Sequence, residues 1–318
     1  MTAYARIGLP RWSRHGDPVA LRAEIAAWAT SPAMRDLVEC FEERWPTGDV
    51  LRGDVLRGLG EISARHWDFR RGGERATALR RDFTADVTER VRAAVTALGL
   101  RHRGVPSQDR YEHVLIHGGL LRSCLIRARH AAALLGGRVT GGTLCGLGSL
   151  RPTSTQEQTL AADLGVDACP TEFDAMDVAV RAAFPGYRPR GDVGASTLTR
   201  DYDAPDGRRL SVLAAPSSDP NRRANTADTC AYWADSRARP QPGERILLIT
   251  TEHFVPFQQA DAIRTLGIPY GCAVETVGVD PAAVPDARLR QSLTTAEYLQ
   301  ETRSAIRSMR TLWDAVPA

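Results

Sequence analysis

The residues with the best claim to chemistry in this 318-residue chain fall in four short polar segments, each placed behind a stretch that reads as a strand. Gly118-Gly119 with Arg122 follows the apolar run His113 to His117. Two glycines let a ligand approach backbone N–H groups, and the helix start that follows favours an anion. Thr140-Gly141-Gly142 leads on to Ser149, Arg151, Thr155 and Glu157. A glutamate beside a glycine turn can act as a base or bind a hydroxyl, while the spacing Ser154 to Glu157 is also that of a helix capping box. Ser217, Arg222, Arg223, Asn225, Thr226 and Asp228 gather hydroxyl, amide, guanidinium and carboxylate groups after a strand, which suits an anion or a sugar. Asn225 taken alone is a good N-cap. Thr250-Thr251-Glu252-His253, followed by Gln258, supplies the histidine best placed for acid–base work. Glu172 and Asp174 read first as acids that complement a helix dipole, and second as groups that orient a substrate.

The composition narrows the chemistry further. All 41 basic residues are arginine, which excludes a Schiff-base lysine and a Walker P-loop and leaves arginine as the strong partner for phosphate or carboxylate. The net charge is +3 with no basic tail or stripe, so no nucleic-acid partner is expected. Six dispersed cysteines form no Cys-x-x-Cys pair and lie near no histidine at zinc-ligand spacing, so the thiols are read as reduced and mostly buried and no metal is expected. Gly146 and Gly148 give a Gly-x-Gly without the third glycine of a dinucleotide fingerprint, which favours a transferase or hydrolase over an oxidoreductase. No apolar run approaches the roughly 18 residues of a membrane helix, and Met1 to His15 lacks a signal-peptide core. No membrane partner and a cytoplasmic location follow as expectations.

Residues 1–109 read as a helical region. Asp17-Pro18 and Ser31-Pro32 are N-cap and first-turn signals, and a longer helix is expected from about Glu74 through the stripe Leu79, Phe83, Val87, Val91, Val95 and Leu98. Residues 110–318 read as one α/β domain. Strands are expected at His113 to His117, Arg138 to Gly142, Leu210 to Ala215, Ile246 to Thr250 and Ala273 to Val279. Helices are expected at Arg122 to Leu135, Thr155 to Leu164, Glu172 to Phe184, after Asn225 and from Thr294 to Trp313. Ala204-Pro205-Asp206-Gly207 adds a hairpin near 196–214. Such alternation predicts a Rossmann-like, mainly parallel sheet with helices on both faces, and a ligand cleft at its carboxyl edge.

Taken in order, Gly118-Gly119, Thr140-Gly141-Gly142, Asn225-Thr226 and Thr250-Thr251-Glu252-His253 resemble the domain family that includes the YdcF, SanA and ElyC proteins. The resemblance spans about residues 110–280, with threonine at 140 in place of the family's serine and glutamine at 258 in place of an arginine. It implies a nucleotide-like or S-adenosylmethionine-like ligand. The expected function is therefore a small-molecule enzyme that binds an anionic ligand through Arg122 and the Arg222/Arg223 region. His253 would act as acid or base, and Glu157 or Asp228 would orient a hydroxyl or amine. The alternative is a non-catalytic nucleotide- or S-adenosylmethionine-binding module whose helical region meets a partner or, as a homo-oligomer, a second subunit.

Overall fold

The structure, a computed structural model, describes residues 4–13, 15–49, 53–71, 81–102, 104–137, 139–190, 198–204, 207–219, 222 and 224–317. Four helices come first: α1 (Pro18–Ala29), α2 (Pro32–Glu39), α3 (Asp54–His66) and α4 (Ala85–Ala97). Asp17 caps α1 by accepting from Val19 N and Ala20 N, and Ser31 caps α2. The start of the helix expected from Glu74 lies outside the described residues, and residues 81–84 are not helical. Thr84 is the N-cap of α4, its hydroxyl accepting from Val87 N, so Phe83 packs from the loop before it.

The α/β part runs β1 (Arg110–His117), α5 (Leu121–Leu135), β2 (Thr140–Gly148), α6 (Thr155–Leu164), α7 (Glu172–Ala183), β3 (Arg188–Pro189), β4 (Thr199–Asp203) and β5 (Arg209–Ala214). It continues with α8 (Thr226–Trp233), β6 (Arg245–Thr251), α9 (Val255–Ala262), the short α10 (Ile268–Tyr270), β7 (Ala273–Val279) and α11 (Thr295–Ala315). The seven strands lie in the order β3-β4-β5-β2-β1-β6-β7. The five from β5 to β7 are parallel, while β4 returns antiparallel on β5 and β3 on β4. The expected hairpin is thus β4–β5, with Pro205 and Asp206 of its turn outside the described residues.

Alternating side chains divide the sheet's two faces. Val114, Ile116, Val212 and Ile249 pack under α5 and α7 in one core, and Leu115, Leu213 and Leu248 face the other way. That second core takes in Trp233 of α8, Ile263 just after α9, Ile306 and Met309 of α11, and Leu21, Trp28, Leu37, Leu59 and Val95 of the four leading helices. The helical region and one face of the sheet therefore share a continuous core.

One strand differs from its sequence reading in a way that matters for the site. Strand β2 does not end at Gly142 but begins at Thr140, which pairs with Arg110 at the start of β1. Thr140, Gly141 and Gly142 consequently lie at the amino edge of the sheet, away from the strand ends where ligands bind. The glycines continue the strand there because their neighbours are close. A Cβ on Gly141 would meet Val114 at 2.9 Å and Leu135 at 3.0 Å, and one on Gly142 would meet the Glu112 carbonyl at 2.6 Å.

Candidate functional site

From β1 the chain crosses through α5 to β2 on one side, and from β5 it crosses through α8 to β6 on the other. This reversal of direction leaves a crevice beyond the carboxyl ends of β1 and β6, the place where open α/β sheets bind ligands. A cleft of about 690 Å³ lies there. Its floor is the end of β1, His117 to Gly119, with the end of β2, Leu147 to Ser149. The first turns of α5 and α8, Phe254, Phe257 and Gln258 around α9, and Glu301 and Arg307 of α11 form the walls. Arg70 reaches in from the helical region.

Arg127, two turns into α5 and 1% exposed, holds this floor open. Its Nη1 donates to the carbonyls of His117 (2.9 Å) and Gly118, and its Nε (3.2 Å) and Nη2 (2.6 Å) donate to Thr251 Oγ1. One guanidinium thereby ties the end of β1 to the end of β6 across the switch point. Its cationic face lies 5.3 Å from the Phe254 ring centre.

A second guanidinium, Arg151, organises the other wall. It donates to Glu157 from Nη1 and Nη2 (3.0 Å each), to Glu172 Oε2 from Nε (3.2 Å) and to the Gly119 carbonyl (3.2 Å). The two glutamates differ. Glu157 also accepts from Ser154 N (2.9 Å) as the capping-box acid of α6, and from Leu121 N (3.0 Å) at the start of α5, whose own N-cap, Leu120, offers no side-chain acceptor. Burial pushes the Glu157 carboxyl up, but Arg151 and these backbone donors outweigh it and hold the group below its usual range. Among the described residues Glu172 is bonded through Oε2, to Arg151 and to Ser149 Oγ (3.0 Å), and its Oε1 lies over Gly118. A Cβ at Gly118 would collide with that oxygen and with the Leu147 carbonyl, so glycine is what lets the carboxyl approach the turn. For Glu172 burial wins over Arg151, Ser149 and Arg127, and the carboxyl is held above its ordinary value. Asp261, deeper along the same cleft, is raised by burial in the same way against Arg264 and Ser308.

Two further cleft groups are buried with an atom that has no hydrogen-bond partner among the described residues: His117 Nε2 (residue 2% exposed) and Gln258 Oε1 (4%). Burial, and then the charge of Arg127, push the His117 imidazole down to about 3, so it stays neutral. Arg70, Arg127, Arg151, Arg264 and Arg307 line the cleft against three carboxylates, Glu172, Asp261 and Glu301. Five guanidinium groups against three carboxylates leave the lining with an excess of positive charge.

Of the residues singled out from sequence, the cleft brings together Gly118, Gly119, Asn225, Thr226 and Gln258. Thr251 stands behind it as the anchor for Arg127, and Thr250 is wholly buried in β6. The others are placed elsewhere. Arg122 is not a lining residue, and the guanidinium that reaches the β1 turn is Arg127, which follows it at five residues on the inner side of α5. Glu157 is consumed by caps and Arg151. Asp228 caps α8 through Asn225 N (2.8 Å) and pairs with the exposed Arg222, which holds it well below the carboxylate range. Ser217 closes a turn on Asp219, its hydroxyl donating to the Asp219 carbonyl (2.7 Å). His253 sits in the one-turn helix Glu252–Phe254, 2% exposed and 4.1 Å from the Phe254 ring centre, and does not line the cleft. Asn221 and Arg223 lie outside the described residues.

Sequence reasoning missed His117 and Arg127 and ranked Glu172 as a dipole acid. A signal existed for two of them. His117 is the last residue of a strand that runs into Gly-Gly, and in Thr171-Glu172-Phe173-Asp174 the capping box uses Asp174, which leaves Glu172 with no capping duty.

No helix among the described residues is long and apolar enough to cross a membrane, and the six cysteines are free thiols, five of them buried. Fold and cleft define a Rossmann-like α/β protein with a helical N-terminal region and a polar crevice at the sheet's switch point. Residues 13–99 match the Rv3785 N-terminal domain. Over 341 aligned positions the chain is 30% identical to the uncharacterized protein Rv3785 of Mycobacterium tuberculosis strain H37Rv, covering 95% of this chain and 93% of that one. It is as similar to the uncharacterized protein Mb3814 of Mycobacterium bovis. The chain belongs to the Rv3785 family. No solved structure matches it significantly.

Proposed function

We propose that the cleft binds a small anionic, nucleotide-like molecule and performs acid–base-assisted group transfer or hydrolysis on it, with Glu172 handling the proton. The observation that carries this reading is the convergence at the switch point of His117 Nε2 and Gln258 Oε1, both buried without partners, with Glu172 Oε1 over Gly118. Buried polar atoms in folded proteins are nearly always paired, so two of them in one crevice describe a place built for a polar guest. The positive field selects an anion, and the rings of Phe254 and Phe257 offer an apolar surface to a base or other flat group. The volume falls within the ~300–1,000 Å³ of small-molecule sites. A carboxyl raised toward working pH can exchange a proton in the transition state, a contribution of about 10² to 10⁴ in rate. The resemblance noted in the sequence implies a nucleotide or S-adenosylmethionine; its Thr140-Gly141-Gly142 segment, lying at the opposite edge, has no part in this cleft.

Thermal unfolding in the presence of nucleoside phosphates, S-adenosylmethionine and sugar phosphates tests the reading. At least one is expected to stabilise the chain by about 2.7 kcal/mol at a concentration 100 times its Kd, and Gly118→Ala is expected to abolish that shift. Glu172→Gln should retain binding and lose turnover by about 10² or more. Absence of stabilisation by every member of the panel overturns the binding site, and undiminished turnover in Glu172→Gln removes that residue from the chemistry.

A further inference from the structure

On the other side of α9 a second cavity, of about 850 Å³, opens at the outer edge of β7. It forms where the segment before α1 crosses that strand, joined to it by a single bridge in which Val274 N donates to the Trp12 carbonyl (3.3 Å). Gln259, 5% exposed, faces this cavity. Its Nε2 donates to the Pro10 carbonyl (3.1 Å) and to the Val274 carbonyl (3.3 Å). Two carbonyl acceptors fix the sense of the amide, so the atom left over is the oxygen, and Gln259 Oε1 is buried with no partner among the described residues. Thr276, 8% exposed and also lining the cavity, has a hydroxyl in the same condition, and so has the indole N–H of Trp12. One acceptor, one hydroxyl and one donor thus stand unpaired around a single space.

The charges and the apolar surface narrow the guest. Arg6, Arg11 and Arg245 line the cavity against one carboxylate, Glu275. That carboxylate is already engaged by Ser107, through N (2.9 Å) and Oγ (2.8 Å), and by the Tyr111 hydroxyl. Leu9 and Pro10 on one side and Val255 and Val277 on the other give the wall an aliphatic part, beside His102, Gln108 and Tyr111. Val105, 72% exposed, stands at the rim.

We propose that this cavity is a second binding site, for a small organic anion with a compact apolar body and a hydrogen-bond donor. The donor meets Gln259 Oε1, the body fills the aliphatic wall between Pro10 and Val277, and the anionic group faces Arg6 and Arg11. The site is independent of the cleft and of the reaction proposed there.

The test uses the full chain and a panel of aromatic carboxylates bearing hydroxyl or carboxamide groups, with uncharged alcohols of the same skeletons as controls. Binding is read from the indole N–H resonance of Trp12, assigned with Trp12→Phe. At about millimolar concentration at least one acid is expected to shift that resonance saturably, and its alcohol counterpart should not. Thr276→Val, close in shape, and Arg6→Gln with Arg11→Gln, at exposed positions, are each expected to weaken binding about tenfold. Gly118→Ala, in the cleft, should leave it unchanged. A panel without a single saturable shift overturns the proposal, as does binding that survives both sets of substitutions undiminished.

Discussion

At its amino end β2 carries Thr140-Gly141-Gly142, and at its carboxyl end Gly146-Leu147-Gly148. In sequence the first reads as a strand end closed by glycines and the second as an incomplete Gly-x-Gly fingerprint. In the fold, the first pair makes room for Val114, Leu135 and the Glu112 carbonyl, and Thr140 beside it bonds to the Asp109 carbonyl. The second end adjoins Ser149, Arg151 and Glu172, and opposite it the matching turn of β1 brings Gly118 beneath a carboxyl. Glycine is used for close approach in each case. What separates packing from a site is the identity of the approaching group: Val114, Leu135 and a paired strand at Gly141-Gly142, and Met176 and the Phe173 backbone at Gly146 and Gly148, against the Glu172 carboxyl at Gly118.

The comparison breaks most visibly at Arg127. Arg127→Ala strands the His117 and Gly118 carbonyls and Thr251 Oγ1 and leaves a void. The expected loss is about 3–5 kcal/mol of stability in urea denaturation, from several unsatisfied acceptors at ~1–3 kcal/mol each. A cost under about 1 kcal/mol would show that the carboxyl edge does not depend on this clamp. Next come the two glycines. Gly118→Ala and Gly142→Ala each set a Cβ against a backbone carbonyl and should cost about 1–3 kcal/mol, but only Gly118→Ala should also abolish ligand-induced stabilisation. Equal effects on binding would erase the distinction between the two edges.

The smallest expected effect is in pH dependence. Because the folded Glu172 is held above the ordinary 4.5, the unfolded chain gives up that proton first as pH rises. Stability attributable to this group therefore falls from pH 4.5 upward until the folded carboxyl ionises. Glu157, held below 4.5, behaves in the opposite sense: its contribution is present above 4.5 and is lost as pH falls through the folded value. Denaturation across acid pH should show Glu172→Gln flattening the first slope and Glu157→Gln the second. A Glu172→Gln profile superimposable on the parent would mean that burial does not bias this carboxyl.

Much of the framework was legible because it rests on local rules. Asp17-Pro18, Ser31-Pro32 and Ser154 to Glu157 mark helix starts that the fold uses, and β7 and α6 have the bounds their patterns predict. The extent of β2 was not legible, since a glycine pair reads as a terminator until the neighbours that require it are known. Nor was α3, where Gly58 and Gly60 depress helix propensity; Gly58 is there because Pro46 packs against it, and a Cβ would run into that ring. His253 illustrates the limit at the site. Sequence places it just past a central strand, but a single helical turn directs it away from the cleft, whereas His117, one strand over and equally buried, lines the cleft floor. Side-chain direction after a strand end depends on the turn that follows, which spacing does not encode.

Helix α9 bears Gln258 on the wall of the crevice and Gln259 on the wall of the cavity beside β7. Neighbours in the chain, their side chains line two separate spaces on either flank of one short helix. The two proposed sites share this helix as a wall but no lining residue, so a guest at one can be titrated with the other either empty or full.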